Sequence, residues 1–128
     1  MNAESQVGYW ATLSLRDIET AGILVDADRS LAALFFAHMA LEKALKARIV
    51  RLTGQVPPHI HNLTRLAEAG GPGIDEDTLD FPAEMNRFQV HGRYPLSIDY
   101  RPSADEVARY WPRAKEVQEC LVRTSSPS

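Results

Sequence analysis

The segment that decides the fold runs from Ser30 to Thr53 and reads SLAALFFAHMALEKALKARIVRLT. At about 100° per residue, its large aliphatic side chains fall within one arc: Leu31, Leu34, Leu41, Leu45, Ile49 and Leu52. Its alanines gather on nearly the opposite side: Ala33, Ala37, Ala40, Ala44 and Ala47. A large apolar face packs into a core, and an alanine strip lets a neighbouring helix approach closely. The pattern therefore predicts a central helix that is covered on two sides.

Polar residues interrupt the leucine arc of this helix. His38 lies near its middle, where we expect a core histidine, and Glu42 lies at its margin with Lys46 one turn further on. One interpretation of Glu42 and Lys46 is a solvent-exposed ion pair worth about 0.2–0.5 kcal/mol. The other is that Glu42 is at least half-buried beside a cation, Lys46 or Arg93, because an unpaired buried carboxylate costs several kcal/mol. We expect the buried arrangement.

Length, charge and cysteine content narrow the class of protein. The 128 residues are 45% hydrophobic, which suits one domain over residues 1–124 with a disordered tail at 125–128. The single Cys120 cannot form an internal disulfide, which favours a reducing cytoplasm. Charges interrupt every apolar stretch, so we expect no membrane span. A net charge of −3 argues against a broad nucleic-acid footprint, whereas the basic residues between Lys43 and Arg51 form either a solvated face or a local patch.

Four further helices are predicted from apolar periodicity and capping signals, over about Ser5–Ala21, Asn62–Gly70, Ala83–His91 and Ser103 onward. Between the third and fourth, residues 75–79 are expected to form one turn, with Pro82 at the first position of the fourth helix. A capping box from Ser103 to Glu106 opens the last helix, and Pro112 predicts a kink or a local break in it. Because no alternating strand pattern is present, the chain is predicted to be all-α, an up-and-down bundle of four main helices plus one short helix.

Two residues of the predicted fourth helix suit phosphate chemistry. Arg87 and His91 lie one turn apart, and an arginine can neutralise charge while a histidine moves a proton. The alternative is an exposed polar face with an ion pair between Glu84 and Arg87. His59 and His61 have a spacing that can suggest metal, but no cysteine or carboxylate adjoins them. We therefore predict no metal site and no cofactor, and expect His61 to cap or pack at the start of the short helix.

Three segments taken together resemble the HEPN domain family of prokaryotic helical proteins. Residues 40–47, ALEKALKA, are similar to its A-x-E-K-A-L-K-A signature, and His61-Asn62-Leu63 is similar to its H-[DNS]-L element. Arg93-Tyr94-Pro95 is similar to its R-Y-P corner. With the helix pattern, the resemblance covers roughly residues 10–123.

The resemblance implies a dimerising helical bundle that binds a nucleotide or RNA and is often encoded beside a minimal nucleotidyltransferase in a toxin and antitoxin module. The positions that match the family's motifs are candidates for a nucleotide- or phosphate-binding cleft: Glu42, Lys46, His61, Arg93 and Tyr94. Members of the family that cut RNA carry an arginine, four to six residues and then a histidine, whereas only three residues separate Arg87 from His91. We therefore predict a homodimeric binding module. The alternatives are a metal-independent ribonuclease acting through Arg87 and His91, and a structural helical adaptor.

Overall fold

The computed structural model describes residues 2–93 and 101–125, and it describes the side chains of the fourth helix up to residue 88. It contains five helices: α1 (Ala3–Asp26), α2 (Ser30–Thr53), α3 (Leu63–Gly70), α4 (Glu76–Arg93) and α5 (Ala104–Arg123). No strand occurs in the part of the chain that the structure describes. The prediction of an all-α bundle with four main helices and one short helix is confirmed.

Helix α2 is the central element and contacts each of the other four helices. The middle of its leucine arc is buried in the core, and its alanine strip is completely buried. The helix ends at Gly54, whose φ of 70° is the left-handed conformation that glycine adopts without a steric penalty. The bounds of α2 agree with the sequence prediction. Both of its sides are covered, which confirms the central helix.

Helices α1 and α2 are antiparallel neighbours. Contacts along α1 meet α2 in reverse order, because Trp10 contacts Lys46, whereas Ser14, one turn later in α1, donates a hydrogen bond to the carbonyl of Ala40. Ser14 also accepts from Gln118 of α5 at 3.1 Å, so one buried hydroxyl links three helices. Helix α1 is longer than predicted and continues through Gly22. A side chain at Gly22 would begin 3.3 Å from the Trp111 ring, so this glycine allows a close approach of α5.

Helix α4 differs from the prediction, because one continuous helix includes both the expected turn and Pro82. Pro82 lies inside the helix and cannot donate to the carbonyl of Thr78. The helix begins earlier because the carboxylate of Asp75 accepts from the backbone and the hydroxyl of Thr78, at 3.1 and 2.7 Å. Apolar side chains on both sides of the proline are buried in the core: Phe81, Met85 and Phe88. Their burial offsets the missing hydrogen bond.

Helix α5 begins as predicted and ends further along than a proline break would allow. The capping box between Ser103 and Glu106 is present in both directions, at 3.1 Å each. The helix is not interrupted at Pro112, so the predicted break is absent. Buried residues on either side of the proline, Tyr110 and Ala114 among them, hold the helix against α2 and α4.

Candidate functional site

A buried ion pair lies in the middle of α2. Glu42 and Lys46 are each only 5% exposed, and the Lys46 Nζ lies 3.2 Å from Oε2 of Glu42. Helical spacing places these two residues on one face, and the packing of α1 and the α3 region covers them. The prediction that Glu42 is at least half-buried beside a cation is confirmed, with Lys46 as the cation.

The same carboxylate holds the imidazole of His61. Its Nδ1 lies 3.0 and 3.1 Å from the two oxygens of Glu42, so the ring donates its Nδ1–H to the carboxylate. The His61 side chain is 46% exposed, whereas its partner is buried. The carboxylate thus fixes the tautomer and orientation of a ring whose Nε2 remains for a ligand.

Asparagines fix the segment that carries His61. The side chain of Asn62 caps α3 by accepting from the backbone of Thr64 and Arg65 at 2.9 and 3.2 Å. Of the two roles predicted for His61, capping is therefore wrong, and its ring instead contacts Glu42 beside the start of α3. From α4, Asn86 accepts from the backbone N–H of Leu63 at 2.7 Å and donates to the hydroxyl of Thr64. The start of α3 is therefore tied to α4. This anchoring holds His61 in place over Glu42.

Aromatic side chains of α1 lie beside the ion pair. The Lys46 Nζ lies 5.3 Å from the centroid of the Trp10 ring, a cation–π distance. Trp10 in turn meets Tyr9 edge to face, with ring centroids 5.2 Å apart and an interplanar angle of 75°. Neither contact was predicted from the sequence. The contact of Lys46 with Trp10 depends on the register between two helices, so no local signal reveals it.

Arg87 lies on the seam between α4 and α5. Its Nη2 is 3.4 Å from Oε2 of Glu106, and its guanidinium lies over the Phe88 ring at 5.1 Å. Glu84 pairs instead with Arg109 of α5 at 3.2 Å. The alternative of an ion pair between Glu84 and Arg87 within the helix is therefore wrong. Each of the two helices contributes one glutamate and one arginine to this seam, and each side chain pairs with the opposite charge on the other helix.

The remaining predicted site residues follow Arg87 along the chain. His91 and Arg93 belong to α4, and their side chains lie outside the described set. Tyr94 lies outside the described residues. The structure thus brings together three of the predicted residues, Glu42, Lys46 and His61, whereas the roles predicted for the others remain predictions.

Of the four basic residues in the second half of α2, Arg51 is exposed and the other three are paired or buried, so they form neither a continuous basic patch nor a solvated face. Lys43 pairs with Asp17, Lys46 pairs with Glu42, and Arg48 is buried. The guanidinium of Arg48 donates from all three nitrogens to backbone carbonyls at or just after the C-terminal ends of α3 and α5. These carbonyls belong to Gly70, Pro72 and Thr124. Burial lowers the pKa of Arg48, and the nearby Cys120 opposes part of that shift. This arginine therefore stabilises the fold and is not available to an external ligand.

The surroundings of the site limit what it can hold. Among the described residues, no three or more His, Cys, Asp or Glu side chains are grouped as a metal ion requires. No described helix has the length and apolar composition needed to cross a membrane. Surface grooves of about 240 to 610 Å³ lie elsewhere over the described residues, and Glu42, Lys46 and His61 do not line them. Because the His61 side chain is 46% exposed, a ligand would meet it at the surface.

Comparison with known proteins completes the description. No curated protein and no solved structure gives a significant match to the chain. The model of the HEPN domain matches residues 7–124, which is nearly the whole chain and includes every helix of the bundle except the first residues of α1. On that match, the chain belongs to the HEPN domain family.

Proposed function

We propose that this protein binds a nucleotide or RNA through a surface centred on His61, and that it acts as a cytoplasmic homodimer with a minimal nucleotidyltransferase in a toxin–antitoxin-like module. Membership of the HEPN family supports the general class. The observation that carries the proposal is the buried carboxylate of Glu42, which holds a half-exposed imidazole by contacts of 3.0 and 3.1 Å.

A structural ion pair would not need this third member. Lys46 alone neutralises Glu42, and a buried pair is costly enough that apolar residues of the same size often replace it without loss of stability. The second acceptor position of Glu42 instead orients an exposed ring. Such a ring can accept a hydrogen bond from a ribose hydroxyl at Nε2, or donate one to a phosphate oxygen when it is protonated. Both groups are present in every nucleotide.

We assign the phosphate contacts of this site to Arg93 and Tyr94, which match the family's R-Y-P corner. Guanidinium groups bind phosphate oxygens in pairs, and a tyrosine hydroxyl adds a further donor. Arg87 would first have to leave its 3.4 Å contact with Glu106 before it could bind a phosphate. We therefore assign the positive charge that binds the phosphate to Arg93.

The binding proposal is tested by equilibrium titration with ATP, GTP and a labelled single-stranded RNA. His61→Ala should weaken binding about tenfold or more, since it removes one hydrogen bond to a charged group. His59→Ala is the matched control, because His59 is an exposed histidine two residues away. Equal affinities for the wild type and His61→Ala would refute the assignment.

Metal-independent ribonuclease activity is the second candidate, and the same contact favours it. An imidazole oriented by a carboxylate can take a proton from a 2′-hydroxyl group, which is the step that starts RNA cleavage without metal. Labelled RNA would be incubated with the protein in EDTA, beside His61→Ala and His91→Ala. Loss of cleavage in His91→Ala alone would assign the chemistry to the Arg87 and His91 pair predicted from the sequence.

The homodimer is proposed because aliphatic side chains of α1 remain exposed, Leu15 and Ile23 among them. An interface burying about 1,200–2,000 Å² in total would be of the usual size. Sedimentation equilibrium at micromolar concentration tests it, and a single 14.3 kDa species would contradict it. Copurification with the product of an adjacent nucleotidyltransferase gene would test the proposed partner.

A further inference from the structure

We infer that Tyr9 and Trp10 form a stacking corner that receives an unpaired nucleobase, which makes single-stranded RNA the ligand of the surface centred on His61. This inference rests on the proposed function and deepens it. It adds two residues of α1 to the site and separates ligands that have an accessible base from those that offer only phosphate.

The geometry of the two rings suits a flat ligand. Tyr9 is 48% exposed, although a tyrosine of a helical bundle can bury its ring in the core as Tyr110 does here. Trp10 is half-buried and meets Tyr9 at 75°, so the two rings form a corner. A base can stack on one ring while its edge meets the other, because aromatic pairs favour both offset-stacked and edge-to-face contacts. Single-stranded bases are commonly bound in this way.

Direct contacts connect this corner to the imidazole. Trp10 lies under the Lys46 ammonium, Lys46 binds Glu42, and Glu42 binds His61, with no gap in the series. The central pair is buried, whereas the residues at the two ends are partly or half exposed. The buried pair thus forms the floor of one surface, with the aromatic corner on one side and the imidazole on the other. A base in the corner would place its sugar and phosphate towards His61.

The charges of this surface favour recognition of the base over recognition of the backbone. The charge of Lys46 is neutralised by Glu42 at 3.2 Å, and the neighbouring Lys43 is paired with Asp17. Binding that depends on phosphate releases counterions and weakens steeply with salt. Binding that depends on stacking should instead disappear when the base is removed. The net charge of −3 agrees with the second kind of binding.

The chain offers its own reporter for the test. It has two tryptophans, so Trp111→Phe leaves Trp10 as the only one. This variant would be titrated with a short single-stranded RNA and with an abasic oligonucleotide of the same length, following tryptophan fluorescence and anisotropy. The RNA should quench the fluorescence of Trp10 and bind about 5- to 100-fold more tightly than the abasic oligonucleotide, the range expected for stacking one base.

Variants of the exposed ring identify the surface. Tyr9→Ala should lose the preference for RNA over the abasic oligonucleotide, whereas Tyr9→Phe should keep it because the ring remains. Leu52→Ala is the control, since Leu52 is an apolar residue of α2 whose exposed fraction, 47%, matches the 48% of Tyr9. Anisotropy with wild-type protein repeats the comparison without the tryptophan substitution.

The outcomes separate this inference from the proposed function. Equal binding of both oligonucleotides, without quenching and still sensitive to His61→Ala, would overturn the stacking corner and leave the proposed function standing. Binding of neither oligonucleotide would overturn the inference, and failure to bind ATP and GTP as well would overturn the proposed function. Unchanged RNA binding by Tyr9→Ala, with a dimer converted to a monomer in sedimentation, would assign the corner to a protein interface and overturn the inference.

Discussion

Glu42→Ala should be among the most destabilising single substitutions in this domain. The change removes the only carboxylate that the structure describes in contact with the Lys46 ammonium, and that ammonium stays buried with 5% of the residue exposed. It also takes away the acceptor of the His61 ring. Removing one member of a buried ion pair costs about 3–5 kcal/mol, because the other charge is left without compensation.

Two companion variants separate charge from packing. Glu42→Gln keeps the shape and one oxygen acceptor, so it should cost less than Glu42→Ala while still leaving Lys46 uncompensated. The double variant with methionine at both Glu42 and Lys46 removes both charges and keeps most of the volume. It should be close to neutral, because replacing a buried pair by apolar groups is often harmless or stabilising.

The assay is thermal and urea unfolding followed by circular dichroism. An unfolding entropy of about 2.1 cal/mol/K per residue gives roughly 0.27 kcal/mol/K for a chain of this length, so Glu42→Ala should lower the Tm by about 10–20 °C. Glu116→Ala is the matched control, because that glutamate also pairs with a basic residue of its own helix but its side chain is 69% exposed. It should change the stability by less than about 1 kcal/mol. Equal shifts of a few degrees for both variants would refute the buried arrangement.

Other predictions concern the ends and turns of the helices. Arg48→Lys should lower the unfolding free energy by about 2–3 kcal/mol, because lysine cannot reach three carbonyls at once, and an unchanged urea midpoint would contradict this. Hydrogen bonds from Thr78 lower the pKa of Asp75 in the folded protein. The stability that the Asp75 carboxylate contributes is therefore complete above the ordinary aspartate pKa, and it is lost as the pH falls through the lowered pKa of the folded state. The difference in Tm between wild type and Asp75→Asn should therefore shrink on acidification from pH 7 to about 2, and a constant difference would count against it. Gly8→Ala should stabilise the protein by about 0.5–1 kcal/mol, because the added methyl group lies within a helix and meets open space. Gly54→Ala should destabilise it by about 1 kcal/mol, because alanine is strained at a φ of 70°. Calorimetry should therefore show Tm shifts of opposite sign for the two variants.

The central helix was predictable because every determinant of it is local. Leucine and alanine periodicity define both buried faces of α2, and Gly54 marks its end. The bounds of α4 were not predictable in the same way. Pro82 is a strong local signal for a helix start, but the cap at Asp75 and the burial of Phe81 outweigh it. The start of α4 depends on whether tertiary packing outweighs the one hydrogen bond that Pro82 cannot donate. The sequence alone shows the missing hydrogen bond but not the packing.

The candidate site was predictable only in part, for the same reason. Glu42 and Lys46 share a helix, so their spacing was enough to pair them. His61 is 19 residues away from Glu42, and the motif resemblance identified it, not its spacing. Asn86 and Trp10 were missed, because their contacts depend on how α4 and α1 lie against their neighbours. Residues that position a functional group from another helix leave no periodic signal.

Exposed and buried ion pairs in this molecule differ in how strongly they restrain the side chains that form them. Across the seam between α4 and α5, the pairs of Arg87 with Glu106 and of Arg109 with Glu84 have exposed members, so each contributes little and restrains its side chains weakly. The pair of Glu42 and Lys46 is buried, so its geometry cannot relax into solvent without exposing the core. An imidazole held by the second kind of pair keeps one orientation before any ligand arrives. Such preorganisation reduces the entropy lost on binding, which is the physical reason to place the functional surface over α2 and not on the seam.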